Sequence, residues 1–102
     1  MATDKLFAEN LLEGLWEVRI HPMMGEYVLY CREKVIGNIC DNALFVKITP
    51  ASKRLLEPLQ APVRPPYEGA KPYYMVETTD KHFLQELFFA VADELPLPRK
   101  RK

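Results

Sequence analysis

The 102-residue sequence predicts an α+β fold, a two-layer sandwich in which helices cover one face of a five-stranded, mainly antiparallel sheet. Two observations lead to this prediction. Three β-rich runs follow one another between residues 23 and 48, joined by short polar segments, and apolar residues recur at helical spacing near both ends of the chain. We expect the element order α-β-β-β-β-α-β-α.

The three β-rich runs, at residues 27–31, 35–40 and 43–48, are dominated by Val, Ile, Tyr and Phe. Residues 32–34 form the first connection between them. Asp41-Asn42 forms the second, and both of its residues tolerate the positive φ that a two-residue hairpin turn requires. The spacing therefore predicts a meander of antiparallel strands.

The outer strands are predicted from alternation on either side of this meander. Residues 16–21 alternate, with Trp16, Val18 and Ile20 on one side, and residues 73–77 form the fifth strand. Gly25 lies between the first two strands, where we expect a turn that needs positive φ.

Three helices are predicted from caps and apolar periodicity. Thr3 or Asp4 begins the first, and Thr49 followed by Pro50 begins the second, which Pro58 keeps short. Asp80 begins the third, whose broad apolar stripe from residue 83 to residue 95 ends before Pro96.

Residues 61–72 contain four prolines and Gly69, and we predict no regular element there. Long structureless connections in small domains often have a function, and this one concentrates Tyr67, Glu68 and Lys71 among its prolines. The simpler interpretation is a covering loop, anchored by Tyr67, that seals an edge or the second face of the sheet.

The sheet face away from the helices is expected to carry Tyr30, Ile36 and Phe45. This face is too apolar to be left in water, so either a loop covers it or a second chain binds there. We therefore name six candidate interaction residues on this face and in the loop: Tyr30, Ile36, Phe45, Tyr67, Glu68 and Lys71. A weak homodimer through this face is one expected outcome.

Charge and composition give no global attraction to nucleic acid or membrane, since 14 basic residues balance 14 acidic ones. The longest apolar run is too short to cross a bilayer, and the N-terminal residues lack the pattern of a signal peptide. We expect a cytoplasmic protein. Cys31 and Cys40 are expected to be free thiols because the predicted hairpin separates them beyond disulfide distance.

The residues that could carry catalysis are few and scattered. Ser52 is the single serine and has no surrounding glycine elbow, and the histidines His21 and His82 lie on different predicted elements. Neither a zinc-ligand spacing nor a phosphate-binding glycine loop is present in the sequence. We therefore predict a non-enzymatic protein with no metal and no cofactor.

Several segments together resemble one known family: MMGEYVLY (residues 23–30), CDNALFVK (40–47), PYEGAKP (66–72), Tyr74-Met75-Val76 and ELPLPRKRK (94–102). In this order they resemble the N-terminal domain of the TfoX competence regulators, and especially the small proteins that consist of that domain alone. The resemblance implies a five-stranded antiparallel sheet laid out like a secretion-chaperone domain, and it implies no catalytic residues. We expect one domain over residues 1–98, followed by a disordered basic tail at 99–102.

The leading functional hypothesis is a cytoplasmic interaction module, regulatory in role, that binds an as yet unidentified protein partner. One alternative is a nucleic-acid-associated regulator of transcription or competence that uses the basic tail. Another is a domain that binds a small molecule in a pocket under the 61–72 loop.

Overall fold

Six strands form one antiparallel sheet, and three helices pack on one of its faces. The structure is a computed structural model and describes residues 3–96. In chain order the elements are α1 (Lys5–Leu12), β1 (Val18–Met23), β2 (Glu26–Cys31), β3 (Lys34–Cys40), β4 (Ala43–Val46), α2 (Pro50–Leu56), β5 (Val63–Arg64), β6 (Tyr73–Val76) and α3 (Lys81–Glu94). The strands lie in the order β1-β2-β3-β4-β6-β5. The predicted α+β sandwich is confirmed, with six strands where five were expected.

Three two-residue turns join the first four strands. Met24-Gly25, Arg32-Glu33 and Asp41-Asn42 all have positive φ at both positions, between 52° and 86°. This is the pattern of the turn that matches the right-handed twist of paired strands. The turn predicted at Asp41-Asn42 and the positive φ predicted at Gly25 are both confirmed.

The Arg32-Glu33 turn places two side chains other than Gly, Asn or Asp in the left-handed region, which costs roughly 1–2 kcal/mol per residue. Contacts of these side chains offset part of the cost, since exposed ion pairs contribute about 0–1 kcal/mol each. Arg19 donates two hydrogen bonds to Glu33, at 3.1 and 2.9 Å, and they raise the pKa of Arg19 and lower that of Glu33. Arg32 bonds Asp93 at 2.8 Å and lies 4.0 Å over the ring of Phe89. The turn is thereby tied to β1 and to α3.

Side-chain caps begin all three helices at the predicted residues. Asp4 accepts from the N–H of Leu6 and Asp80 from that of His82, both at 3.0 Å. At α2, Thr49 and Ser52 exchange reciprocal hydrogen bonds in a capping box. These local signals fix the helix starts.

The core lies between the helices and one sheet face. Its sheet side contains Leu29, Ile39 and Leu44, and α3 supplies the largest helical share. The α3 residues in the core, all fully buried, are Leu84, Leu87, Phe88, Val91 and Ala92. Ala8 of α1 and Leu56 of α2 complete the layer, so the helices cover one face, as predicted.

A register shift in the β2–β3 pairing moves Ile36 into this core. Leu29 pairs with Gly37, but the next residue of β2, Tyr30, pairs with Val35, so Ile36 is the extra residue of a bulge. Ile36 is fully buried in the helix-side core. The expectation that it lies on the second face is wrong, because that expectation assumed uninterrupted alternation.

Phe45 does lie on the second face, but it is covered. The guanidinium of Arg64 lies 5.8 Å from the centre of the Phe45 ring, and Phe45 is 1% exposed. Of the two expectations for this face, cover by a loop holds for Phe45, because the proline-rich segment reaches over it. The prediction of Phe45 as an interaction residue is wrong, since its side chain is not accessible.

A short strand accounts for this cover. Val63 and Arg64 pair with Tyr74 and Tyr73, although no element was expected between residues 61 and 72. The carbonyl of Pro62 accepts a hydrogen bond from the N–H of Met75 at 2.8 Å. Proline has no backbone N–H, so this carbonyl is its only group that can pair with a neighbouring strand. The prolines flank this strand and do not interrupt it.

Both cysteines are buried, unpaired thiols, as predicted. Burial raises the pKa of Cys31 and of Cys40 to about 11 in each case. Such thiols carry little of the thiolate that reacts with electrophiles.

Along residues 3–96, none of the helices is long and apolar enough to cross a bilayer. The basic tail predicted at residues 99–102 lies outside the described residues.

We predict that Gly37→Ala is strongly destabilising. A Cβ at this position would overlap the carbonyl oxygen of Phe45 and lie 3.0 Å from its carbonyl carbon, and backbone atoms of the central sheet cannot move aside cheaply. The expected loss is about 3 kcal/mol, the upper end of the overpacking range, measured by urea unfolding.

Gly14→Ala is the matched control, since its φ of 84° opposes a side chain but open space surrounds it. It should cost about 1 kcal/mol. Equal losses for the two variants would show that β3 and β4 do not approach so closely.

We predict that both thiols resist Ellman's reagent in the native protein and react at once after unfolding. With a native pKa of about 11, on the order of one thiol in a thousand is ionised at about pH 8. Because folding raises the pKa of each thiol from 9.0 to about 11, the native protein favours the neutral thiol. The contribution of the buried thiols to the free energy of unfolding is therefore complete below pH 9.0 and declines as the pH rises toward 11. Rapid labelling of the folded protein would contradict the buried placement.

Candidate interaction surface

The structure separates the predicted interaction residues of the second sheet face. Ile36 faces the helices, Phe45 lies under Arg64, and Tyr30 is half-buried under the guanidinium of Arg19, 4.1 Å from the centre of its ring. Only Tyr30 of the three contributes to an open depression. That depression, of about 350 Å³, is lined by Tyr30, Glu33, Lys34, Val35, Lys47, Leu95 and Pro96.

The predicted loop residues lie on the surface at the opposite edge of the sheet. Tyr67 is 59% exposed, and Glu68 and Lys71 are exposed as well. Burial raises the pKa of Tyr73, which follows the loop at the start of β6, and the charges of Tyr67 and Cys40 raise it further. The structure does not bring Tyr67 together with Tyr30.

The predicted pocket under the loop has only a partial counterpart. A hollow of about 270 Å³ meets the loop at Ala61 and Pro62 alone, and its remaining walls are Leu56, Leu59, Gln60 and residues 75–78. Tyr67, Glu68 and Lys71 do not line it.

The single serine has a structural role. The hydroxyl of Ser52 is buried, donates to the carbonyl of Lys47 at 2.7 Å and accepts from the N–H of Thr49 at 2.8 Å. His21 on β1 and His82 on α3 are exposed and lie on separate elements. Within residues 3–96, no three His, Cys, Asp or Glu side chains are grouped closely enough to hold a metal ion.

Trp16 is the residue that the sequence interpretation misplaced. It was expected to lie in the first strand on the same side as Val18 and Ile20, but it precedes that strand and its side chain is 74% exposed. Glu17 has a φ of 58°, and this left-handed residue interrupts the extended chain so that β1 begins only at Val18. The same residue that breaks the strand turns the indole outward.

The backbone of Trp16 is held rigidly against α3. Its N–H donates to Oε1 of Gln85 at 2.7 Å, and its carbonyl accepts from Nε2 of the same side chain at 3.1 Å. Two bonds from one carboxamide fix both polar groups of the residue. The most exposed large aromatic side chain of the described region is thus attached to an ordered peptide.

An open depression of about 400 Å³, which we call the Trp16 hollow, lies beside this side chain. It is lined by Gly14, Leu15, Trp16, Lys81, His82, Gln85 and Phe89. Its walls of Leu15, Trp16 and Phe89 are apolar, and Arg32 stacks on Phe89 and holds that ring in place. The ammonium of Lys81 bonds the carbonyls of Asn10 and Leu11, both at 2.7 Å, which joins the hollow to the end of α1.

One sequence signal pointed to this site. The only tryptophan of the chain follows Gly14, directly after the first predicted helix, at a position where a chain reverses between elements. Large side chains at such junctions need not follow the alternation of the next strand. The positive φ of Glu17, a residue with no preference for it, could not be foreseen.

Comparison with known proteins gives two matches. The model of the TfoX N-terminal domain family matches residues 10–92 of the chain. A protein of Spirochaeta aurantia, described as an uncharacterized 12.7 kDa protein in the trpE 5′ region, is 36% identical over 107 aligned positions. The alignment covers 100% of this chain and 91% of that protein.

No solved structure was found to match the chain. The family match spans most of the described fold, from the end of α1 through β1 to β6 and nearly all of α3. It includes Trp16, Gln85 and Phe89, the residues that shape the Trp16 hollow. The chain belongs to the TfoX N-terminal domain family.

Proposed function

We propose that the protein is a non-enzymatic interaction module of the cytoplasm, regulatory in role, which binds a protein partner through the Trp16 hollow. The observation that carries the proposal is an indole that is 74% exposed on a peptide whose N–H and carbonyl are both bonded by Gln85. Tryptophan is highly buried on average and, with tyrosine and arginine, is enriched among binding hot spots.

The rigidity of the site favours binding. An aromatic side chain with two torsions loses little conformational entropy when a partner covers it. A backbone that is already ordered in the free protein loses no further entropy on binding. Phe89 is similarly held by the guanidinium of Arg32 at 4.0 Å. The main chain of Trp16 and the ring of Phe89 are therefore held in place before a partner arrives.

The lining of the hollow indicates the chemistry of the partner. Leu15, Trp16 and Phe89 offer contact to one aromatic or long aliphatic side chain, and Lys81 and His82 supply polar, basic groups at the rim. A partner segment with an apolar anchor followed by an acidic residue fits this arrangement.

The non-enzymatic part of the proposal is supported by the roles of the nucleophilic side chains. Ser52 caps α2, and the two thiols are buried with pKa values raised to about 11. Each of these groups serves folding, and each is removed from solvent.

A weak homodimer is a second arrangement that we propose for the sheet face around Tyr30. With Ile36 and Phe45 buried in the monomer, the apolar surface left there is the half-buried set of Val28, Tyr30 and Val35. This smaller patch predicts association only at high protein concentration.

We predict that Trp16→Ala removes partner binding and leaves folding intact. Proteins retained from a native-cell extract by the immobilised wild type should be absent with Trp16→Ala, and a purified partner should lose at least about thirtyfold in affinity. Leu59→Ala is the matched control, because Leu59 is 56% exposed and lies outside the hollow. The unfolding free energy of both variants should stay within about 0.5 kcal/mol of the wild type.

Because Trp16 is the single tryptophan, its fluorescence reports directly on the site. Emission should be that of a solvated indole in the free protein and shift to shorter wavelength when the partner binds. Unchanged binding by Trp16→Ala would refute the proposed site. A blue shift produced by raising the protein concentration alone would identify a second copy as the occupant.

A further inference from the structure

The outer edge of β1 carries backbone groups that the sheet does not use. In the β1–β2 ladder, Arg32 donates to the carbonyl of Glu17 at 2.9 Å, which sets the hydrogen-bonded pairs at Arg19↔Tyr30, His21↔Val28 and Met23↔Glu26. The intervening residues Val18 and Ile20 therefore point their N–H and carbonyl groups away from β2. Across residues 3–96, no backbone or side-chain group bonds these outward groups.

Pro22 limits this open edge at one end. It pairs with Tyr27 at a position where its backbone nitrogen faces outward, so the missing N–H costs the sheet nothing. An added strand finds two complete bonding positions, at Val18 and Ile20, and only a carbonyl at Pro22. The edge therefore accepts a short segment in a defined register.

The helix side of this edge is both apolar and acidic. An open hollow of about 540 Å³ lies between α1 and β1, lined by Glu9, Asn10, Leu12, Glu13 and Ile20. Leu12 and Ile20 supply its apolar lining. Glu9, which also pairs with Lys5 at 4.0 Å, and Glu13 are exposed carboxylates one helical turn apart. The aliphatic stem of a lysine or arginine fits such a lining while its charge meets the carboxylates.

The opposite side of the edge is basic. Arg19 and His21 lie on the second sheet face and alternate with Val18 and Ile20 along β1. A residue added opposite Arg19 projects to that face. Glu33 bonds Nε and Nη2 of Arg19, which leaves Nη1 of Arg19, together with His21, to an acidic side chain of the added residue. The two sides of the edge thus call for opposite charges at successive residues of an added strand.

From these features we propose that the outer edge of β1 docks an extended segment of a partner protein with the antiparallel order basic–acidic–apolar. The basic residue lies opposite Ile20 and enters the hollow beside Glu9 and Glu13, the acidic residue lies opposite Arg19, and the apolar residue lies opposite Val18. This mode adds a strand to an existing sheet, so main-chain bonds supply affinity and the alternating side chains supply selectivity. The edge is separate from the Trp16 hollow and adds a second binding site to the proposed function.

A second copy of this chain fits the edge poorly. A two-fold pairing that uses both Val18 and Ile20 places Arg19 directly opposite its own copy. Like charges in that position are destabilising, and the ion pair with Glu33 compensates only part of each charge. It also brings Glu9 and Glu13 of both copies to the same side of the joined sheet. The alternative register centred on Ile20 sets Pro22 opposite Val18 and loses bonds at both ends.

Amide hydrogen exchange followed by NMR tests the proposal residue by residue, using the full chain and a blocked seven-residue peptide with lysine–glutamate–valine at its centre. In the free protein the amides of Val18 and Ile20 should exchange fast, whereas Arg19 and His21, which bond β2, should be protected. Saturating peptide should slow Val18 and Ile20 at least about tenfold and leave Arg19 and His21 unchanged.

A modified peptide and charge reversals at two places on the surface isolate the chemistry. The same peptide methylated on its lysine and valine nitrogens should not bind, since those N–H groups meet the carbonyls of Ile20 and Val18. Glu9→Lys with Glu13→Lys should weaken the peptide about tenfold, whereas Glu77→Lys, a charge reversal after β6, should have no effect.

The proposal would be overturned if the methylated peptide bound as tightly as the unmethylated one. It would also be overturned if a peptide with glutamate–lysine–valine at its centre bound as tightly as the lysine–glutamate–valine peptide. Protection of Val18 and Ile20 without peptide would also overturn it, because the edge would then be occupied already. If that protection rises with protein concentration, the occupant is a second copy.

Discussion

The pairing of β3 with its two neighbours is the constraint on which the remaining structure depends. On one side, Gly37 lets β4 approach so closely that a Cβ would overlap the carbonyl oxygen of Phe45. On the other side, the bulge opposite Tyr30 turns Ile36 toward the helices. Together they fill the helix-side core with Ile36 and leave Phe45 as the main buried side chain of the second face. The cover over Phe45 then needs only a two-residue strand and one arginine, which the proline-rich segment supplies.

The features that could be predicted from the sequence are those that a few adjacent residues determine. Asp41-Asn42 forms its turn and Thr49, Ser52 and Asp80 cap their helices because each acts on backbone groups within three residues of its own position. The helix stripe of α3 was visible for the same reason, since its period is local.

The features that could not be predicted depend on contacts between distant residues. The bulge at Ile36 is invisible in a run of β-formers, since any residue of that run could be the extra one. Trp16 faces outward because Glu17 adopts a conformation that glutamate does not prefer, and the carbonyl of Glu17 is bonded by Arg32, a residue from the next hairpin. Alternation along the sequence therefore placed the candidate site wrongly, because tertiary contacts determine the conformation at Ile36 and at Trp16.

The Arg32-Glu33 turn has a consequence for how the molecule responds to its solution. Its conformational cost is a property of the backbone and does not change with salt, whereas the bonds to Arg19 and Asp93 that offset it are between exposed charges. The screening length falls from about 10 Å at 0.1 M salt to about 3 Å at 1 M, so only one side of this balance weakens. The two residues of the turn thus join β1 and α3 through salt-sensitive ion pairs. The end of the sheet that faces the last turn of α3 is therefore the part of the fold whose local opening is set by ionic strength.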